Sequence, residues 1–513
     1  MKPIRLVSGF LTVGLWTLLS RVLGFARDIM IAAYLGTGPV AEAFLIAFSL
    51  PNVFRRFFAE GAFNMAFVPM FSKKVEGDED AAKFANDAFT GLASVLIVFT
   101  VVAMVAMPWL VLAMASGFRG DERFDLAVLY GRIAFPYILF ISLAALLSGV
   151  LNSIGRFTAA AAAPVFLNIF FVSAMILATI MGWPIGDTLA WTVPFAGIGQ
   201  MALVWVAAKK AGFTLTFSRP KMTPDLKRLA IIAAPAALAG GVVQINLLVG
   251  RQVASFYDGA VAWLSYADRL YQLPLGVVGI AIGVVLLPDL SRRLRAGDTE
   301  GGRDAFNRAC EMSLALTIPA AVALMVIPIP LVQVLYQRGA FGTDDTMATA
   351  IAVAVYGLGL PGFVMQKALQ PLFFAREDTR RPFYIALVSL IVNATVAIGL
   401  MPYIGFIAAA IGTTLSGWAT VVFLWVKSRS MGEAATFDDR FKSRFWRICT
   451  ASVMMGVVLW FAAVVLTPAL GLPLWRYLAL LVLVTIGMAA YFVSGQMIGA
   501  FKLSEFKRAM KRG

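Results

Sequence analysis

Three features of the chain predict an all-α polytopic membrane protein. Apolar runs of about 20 residues, the length of a membrane-spanning helix, recur from end to end. Of the 513 residues, 60% are hydrophobic and only 14% charged, against roughly 25% charged in an ordinary soluble domain. The loops between the runs alternate between strongly basic and nearly uncharged. The runs are continuous rather than alternating with period two, which excludes a β-barrel.

Fourteen spans follow, at 7–33, 41–72, 87–116, 126–152, 158–182, 188–209, 226–256, 260–291, 306–336, 343–374, 381–402, 405–427, 446–467 and 474–500. Loops on one side carry Lys73, Lys74, Lys83, Arg156, the 209–228 cluster, Arg292, Arg293, Arg295, Arg303, Arg376, Arg380, Arg381 and the 427–447 cluster. The opposite loops offer only Arg119, Arg123, Arg338 and Arg476. Basic loops stay in the cytoplasm, so both termini are expected there, in agreement with an even number of spans. The net charge of +15 is then topological and does not indicate a nucleic-acid partner. No cleavable leader is expected, because Met1–Arg5 runs directly into the first span.

The chain repeats itself. Val68-Pro69-Met70-Phe71-Ser72-Lys73-Lys74 ends the second span and Leu287-Pro288-Asp289-Leu290-Ser291-Arg292-Arg293 ends the eighth. Tyr130-Gly131 followed by Pro136 recurs as Tyr356-Gly357 followed by Pro361. Arg156 ahead of Pro164 and Asn168 is echoed by Arg381-Pro382 and Asn393. An even number of spans separates the copies, so the halves run in the same sense, as parallel repeats of a transporter do. The expected organisation is a six-helix lobe at 1–215, a second at 216–430, and two further helices with a basic tail at 431–513.

Histidine is absent, and Cys310 and Cys449 show no metal or disulfide spacing. That excludes His catalysis, His metal sites and His proton relays. There is no Gly-Lys dipeptide, hence no phosphate loop for ATP.

The informative residues are charges inside apolar spans, where each Lys or Arg costs roughly 2.5–3.5 kcal/mol on insertion scales. The first span holds Ser20-Arg21-Val22-Leu23-Gly24-Phe25-Ala26-Arg27-Asp28. Arg21 and Arg27 lie about 9 Å apart along an ideal helix and about 120° off a common face, so a break near Gly24 or a wide cavity is expected. Asp28 either neutralises Arg27 or leaves it for a ligand.

The second span centres on Leu50-Pro51-Asn52-Val53-Phe54-Arg55-Arg56 and runs to Glu60. Pro51 frees a carbonyl that water or protein must satisfy. Arg56 and Glu60 are spaced for an i,i+4 pair, which leaves Arg55 as the better ligand candidate. Glu42, near the outer end, is a gate or a counter-charge. Tyr266-Ala267-Asp268-Arg269-Leu270 opens the eighth span, Arg251 ends the seventh, and Lys367 lies inside the tenth. Asp268-Arg269 is a second site element or a structural couple. Lys367 lines the cavity or pairs with a carboxylate.

Four cations of the first lobe (Arg21, Arg27, Arg55, Arg56) face three anions (Asp28, Glu42, Glu60), a balance of +1. Arginine predominates, and its planar fork meets phosphate or carboxylate oxygens two at a time. A cavity of this kind wants an anion, most naturally a phosphorylated one.

Taken together, the motifs Ser20–Asp28, Leu50-Pro51-Asn52 with Arg55-Arg56, Phe58-Ala59-Glu60-Gly61-Ala62-Phe63, Phe67-Val68-Pro69 and Tyr266–Leu270 closely resemble those of the MurJ (MviN) lipid II flippases. That family lies within the multidrug/oligosaccharidyl-lipid/polysaccharide exporter superfamily, and the resemblance covers essentially the whole chain. It implies two six-helix lobes plus two extra helices, and alternating-access movement of a polyprenyl-pyrophosphate peptidoglycan precursor from inner to outer leaflet. It implies that Arg21, Arg27, Arg55 and Arg269 hold the pyrophosphate and that the last two helices form a groove for the polyprenyl tail. A monomer in the bacterial cytoplasmic membrane is implied, surrounded by membrane lipids and working beside other cell-wall synthesis proteins, with no cofactor. Some members bind sodium through carboxylates of spans seven, eleven and twelve. Asn393 and Thr413 are present here, but spans eleven and twelve hold no Asp or Glu, so no metal is expected.

The rival readings are a flippase for another polyprenyl-pyrophosphate glycan, a cation–drug antiporter of the same fold, and a lipid-pyrophosphate enzyme. The arginines argue against the antiporter. The lack of histidine and of clustered acidic ligands argues against the enzyme.

Overall fold

The computed structural model describes residues 6–56, 58, 62–77, 79–281 and 286–501, with backbone alone at 6–11, 62, 63, 65, 234–243, 277, 279–281 and 287. Among these residues regular structure is helical throughout, without a strand. The chain divides into two compact units, Met1–Ala262 and Trp263–Gly513.

The first unit begins with α1 (Leu6–Leu35), α2 (Pro39–Arg55), α3 (Ala62–Glu76), α4 (Ala81–Val105) and α5 (Met107–Met114). A 3-10 turn at Ser116–Phe118 leads to α6 (Glu122–Ala134), α7 (Tyr137–Ser153), α8 (Thr158–Met181), α9 (Ile185–Lys210) and α10 (Pro224–Ser255). α1 packs on α8, α2 on α6, and α9 on both α7 and α8. α11 (Ala260–Ala281) opens at the boundary between the units and is followed by α12 (Leu287–Arg295), α13 (Thr299–Val326), α14 (Pro328–Tyr336) and α15 (Thr343–Phe374). The chain continues with α16 (Arg380–Ile404), α17 (Ile407–Ser428), α18 (Asp439–Leu470) and α19 (Trp475–Met497). In the second unit α15 packs between α13 and α17, and α18 packs on α13 and α19.

Among the described residues, ten helical segments are long and apolar enough to cross a membrane. The remaining four spans read from the sequence fall on α1, on α2 with α3, on α10, and on α11 with α12. These carry Arg21, Arg27, Arg55, Arg251 and Arg269.

The repeated Tyr-Gly pair has one packing role in both places. A side chain on Gly131 would come within 2.6 Å of the Met107 sulfur on α5, and one on Gly357 within 2.9 Å of Leu324 on α13. Glycine lets neighbouring helices approach closely where lipid supplies no hydrophobic drive.

Of the two alternatives at Gly24, a break or a wide cavity, the break is not there. α1 runs unbroken through it, and the missing side chain is used differently: the Asn168 amide sits 3.5 Å from where a Cβ would be. α2 also passes through Pro51 without ending. Asn52 Nδ2 donates to the Phe48 carbonyl at 2.8 Å, one residue on from the Ala47 carbonyl that the proline deprives of its helical donor. The α-helical run closes at Arg55, with π-helical backbone at Arg56 and Phe58. Glu60, the expected partner of Arg56, lies outside the described residues.

Candidate functional site

The first cluster joins α1 to α8. Arg27 is only 5% exposed, and Asp28 is buried beside it. Arg27 Nε and Nη2 donate to Asp28 Oδ1 at 3.0 and 2.8 Å. Nη1 donates to Asn168 Oδ1 at 3.1 Å. The guanidinium also lies 5.8 Å from the Phe48 ring centroid and 5.4 Å from that of Phe171, within cation–π range. Asn168 turns its amide nitrogen to the Ser20 carbonyl at 2.9 Å and to Pro164 O at 3.2 Å. A charge buried this deeply is tolerated because opposite charge, a hydrogen bond and two ring faces replace its water. The adjacent acid does neutralise Arg27, and both edges of its fork are committed.

Arg21 differs. It is exposed, and none of the described residues hydrogen-bonds or ion-pairs with it. Arg55 is half-buried and Arg56 exposed at the end of α2.

The second cluster takes Glu42 out of the arginine balance. Glu42 is 1% exposed, and its Oε2 accepts from Arg123 Nη1 at 3.0 Å. Its Oε1 accepts from the Val261 backbone N–H at 2.9 Å. Arg123 also contacts Asp121 at 2.6 Å and Asp258 at 3.0 Å, and stacks 4.5 Å from the Phe118 ring centroid. Burial raises the Asp121 pKa, but the hydrogen bonds and charge of Arg123 outweigh it and hold the carboxyl below its ordinary value. Beside this network Ser116 N–H donates to Gln252 Oε1 at 2.7 Å and Gly117 N–H to Ser255 Oγ at 3.0 Å. Gln252 Nε2 returns a bond to Leu112 O at 2.9 Å. The turn after α5 and the end of α10 are thus stitched together at the same end of the unit as Glu42.

In the second unit Asp268 accepts from Gln272, one turn further along α11, and Arg269 is half-buried next to it. Tyr271 of that helix packs on Tyr356 and Phe363 of α15, at centroid distances of 5.0 and 5.4 Å. Lys367 is exposed on α15, and no carboxylate of the described residues pairs with it.

Sequence reasoning placed Ser20, Arg27 and Asp28 together and missed Asn168, the residue that fastens them, having noted it only as part of the repeat. It also counted Arg123 as a loop charge. One isolated asparagine in an apolar helix has no periodic signal, although a polar side chain at membrane depth is itself a flag.

The family model for the lipid II flippase MurJ matches residues 31–484. The chain belongs to the MurJ family. It is 44% identical to the "Probable lipid II flippase MurJ" of Rhizobium meliloti, covering 99% of this chain and 97% of that one. It is 35% identical to the "Lipid II flippase MurJ" of Burkholderia cenocepacia over 99% of this chain and all of the other. Among solved structures, a MurJ in an inward closed conformation superposes with TM-score 0.79 at 26% identity, covering 94% of this chain and 98% of that one. An inward-facing multidrug MATE transporter shares the fold alone, with TM-score 0.66 at 16% identity over 81% of this chain and 96% of the other. Members of the MurJ family are membrane flippases and not enzymes, and this one is an integral inner-membrane protein.

Proposed function

We propose that this protein carries lipid II from the inner to the outer leaflet by alternating access. Full-length membership of the MurJ family supports the substrate, and the arginines of α1 and α2 support the headgroup chemistry. The observation that carries the anion reading is the state of Arg21, an exposed cation that no described side chain neutralises, on the same helix as the clamped Arg27. With Glu42 taken by Arg123, four arginines face only Asp28 and Glu60, a balance of +2 rather than +1. Arg21 and Arg55 then grip pyrophosphate oxygens directly, and Arg27 adds charge from the wall.

The proposed architecture has fourteen spans, the ten apolar segments counted above plus α1, α2 with α3, α10, and α11 with α12. The lobes are 1–215 and 216–430, and 431–513 adds α18, α19 and a groove for the polyprenyl tail. Both termini are cytoplasmic and the protein works as a monomer. The Pro-basic motif repeated on α3 and α12, Pro69 to Lys74 and Pro288 to Arg293, supports the two-lobe reading.

No nucleotide is needed. An inside-negative potential favours outward movement of an anion by about 2.3 kcal/mol per charge per 100 mV and return of an empty cationic site. Depleting the protein from cells and identifying the lipid-linked precursor trapped on the inner leaflet tests the substrate. Accumulation of lipid II supports the reading, and accumulation of a different glycan-lipid overturns it. Collapsing the potential in vesicles must slow transport, and an unchanged rate removes the energetic part.

A further inference from the structure

Two arginines share one tyrosine where the topology leaves basic residues rare. Arg338 follows α14 and Arg476 opens α19; both are half-buried. Arg338 Nη2 donates to the Val334 and Leu335 carbonyls at 2.7 Å each. Arg476 Nη1 donates to the Gln337 carbonyl at 3.0 Å and Nη2 to the Tyr477 hydroxyl at 3.1 Å. Their guanidinium carbons lie 5.7 and 5.1 Å from the Tyr477 ring centroid.

The bonds to α14 explain part of this, since cations favour a helix C-terminus. They do not balance the charge. Arg476 stands in the first turn of α19, where the helix N-terminus adds positive partial charge and offsets the negative end of α14. No carboxylate among the described residues pairs with either arginine, in contrast to Arg123, which contacts three. Both Nε atoms are buried without a partner, and Arg338 Nη1 bonds none of the described residues. Burial and the neighbouring charge of Arg476 hold the Arg338 pKa below its ordinary value, even with Tyr477 opposing.

The surroundings are those of a lipid headgroup. Trp475 and Tyr477 are exposed beside the arginines, as in the aromatic belt of a membrane interface. Leu474, the N-cap of α19, and Leu478 and Leu481 on the helix, spaced i, i+4, i+7, form an exposed apolar stripe leading away from them, with Leu474 87% exposed. We propose that Arg338, Arg476 and Tyr477 hold the phosphodiester of a phospholipid in the outer leaflet, its acyl chains lying along the Leu474 stripe. The leaflet rests on the topology proposed above; the binding chemistry does not.

The test uses the full chain purified in detergent, with bound lipid counted by native mass spectrometry and thermal unfolding followed in parallel. The probes are phosphatidylglycerol, dioleoylglycerol (the same tails without phosphate) and inorganic phosphate. Phosphatidylglycerol is expected to be retained and to raise the Tm, while the other two are not. R338Q/R476Q should lower phosphatidylglycerol occupancy at least tenfold. R476K, which keeps the charge but loses the fork, should lower it severalfold and serves if the double variant does not fold. Equal occupancy in the wild type and a folded variant overturns the proposal, as does inorganic phosphate reproducing the arginine-dependent Tm shift. Because the readout is taken on resting protein, failure of the lipid II transport reading leaves this result standing.

Discussion

Glu42 and Arg123, 81 positions apart in sequence, form a buried ion pair at 3.0 Å that ties α2 to the start of α6. Its second oxygen reaches the backbone N–H of Val261, so one carboxylate fastens three segments of the first unit.

R123Q strands the buried Glu42, at a cost of about 3–5 kcal/mol, whereas E42Q costs less because Arg123 keeps Asp121 and Asp258. R123Q and E42Q should each lower the Tm, and the double variant should fall short of their sum, because the second change removes the charge stranded by the first. Additive losses in the thermal-unfolding cycle would show that the two groups are not coupled.

The neighbouring turn has no room for a side chain. A Cβ on Gly117 would lie 2.5 Å from the Ser255 and Phe256 backbone. G117A should therefore prise the turn from the end of α10 at about 1–3 kcal/mol, the range for overpacking. Thiol labelling of a cysteine placed at Gln252 should speed up in G117A. An unchanged labelling rate and Tm would contradict the close approach.

The Asp121 carboxyl titrates below its ordinary value of 3.8. A depressed folded-state pKa adds stability that is present above the unfolded value and lost as pH falls through the folded one. The Tm difference between the wild type and D121N should stay constant from neutral pH to about pH 4 and shrink below it. A difference that already shrinks between pH 7 and 5 would contradict the assignment.

Asn168 separates electrostatics from scaffolding. N168A leaves one edge of Arg27 without its partner and removes a second donor from the Ser20 carbonyl, at about 1–3 kcal/mol. N168D keeps an oxygen for Arg27 and adds a negative charge to the arginine cluster. Lipid II transport should fall in N168D more than its Tm change explains. Wild-type transport there would mean that the local charge does not matter.

Much of this was readable from residue order, and the exceptions have physical causes. The helices were legible because apolar runs of spanning length admit few alternatives. The Arg27–Asp28 pair was legible because adjacent opposite charges in lipid have little choice. The Glu42–Arg123 pair was not, because each residue lies in a different helix and Arg123 reads as an ordinary loop charge. The use of Gly24 was not legible: a glycine in a helix signals either a bend or a close neighbour, and only the position of Asn168 decides between them.

The central claim is that α1 and α2 present arginines to a lipid pyrophosphate, and lipid II translocation by R21A in proteoliposomes under an inside-negative potential tests it most directly. The account predicts near-complete loss of translocation with a Tm matching the wild type, since no described residue bonds Arg21. Translocation at the wild-type rate would contradict it.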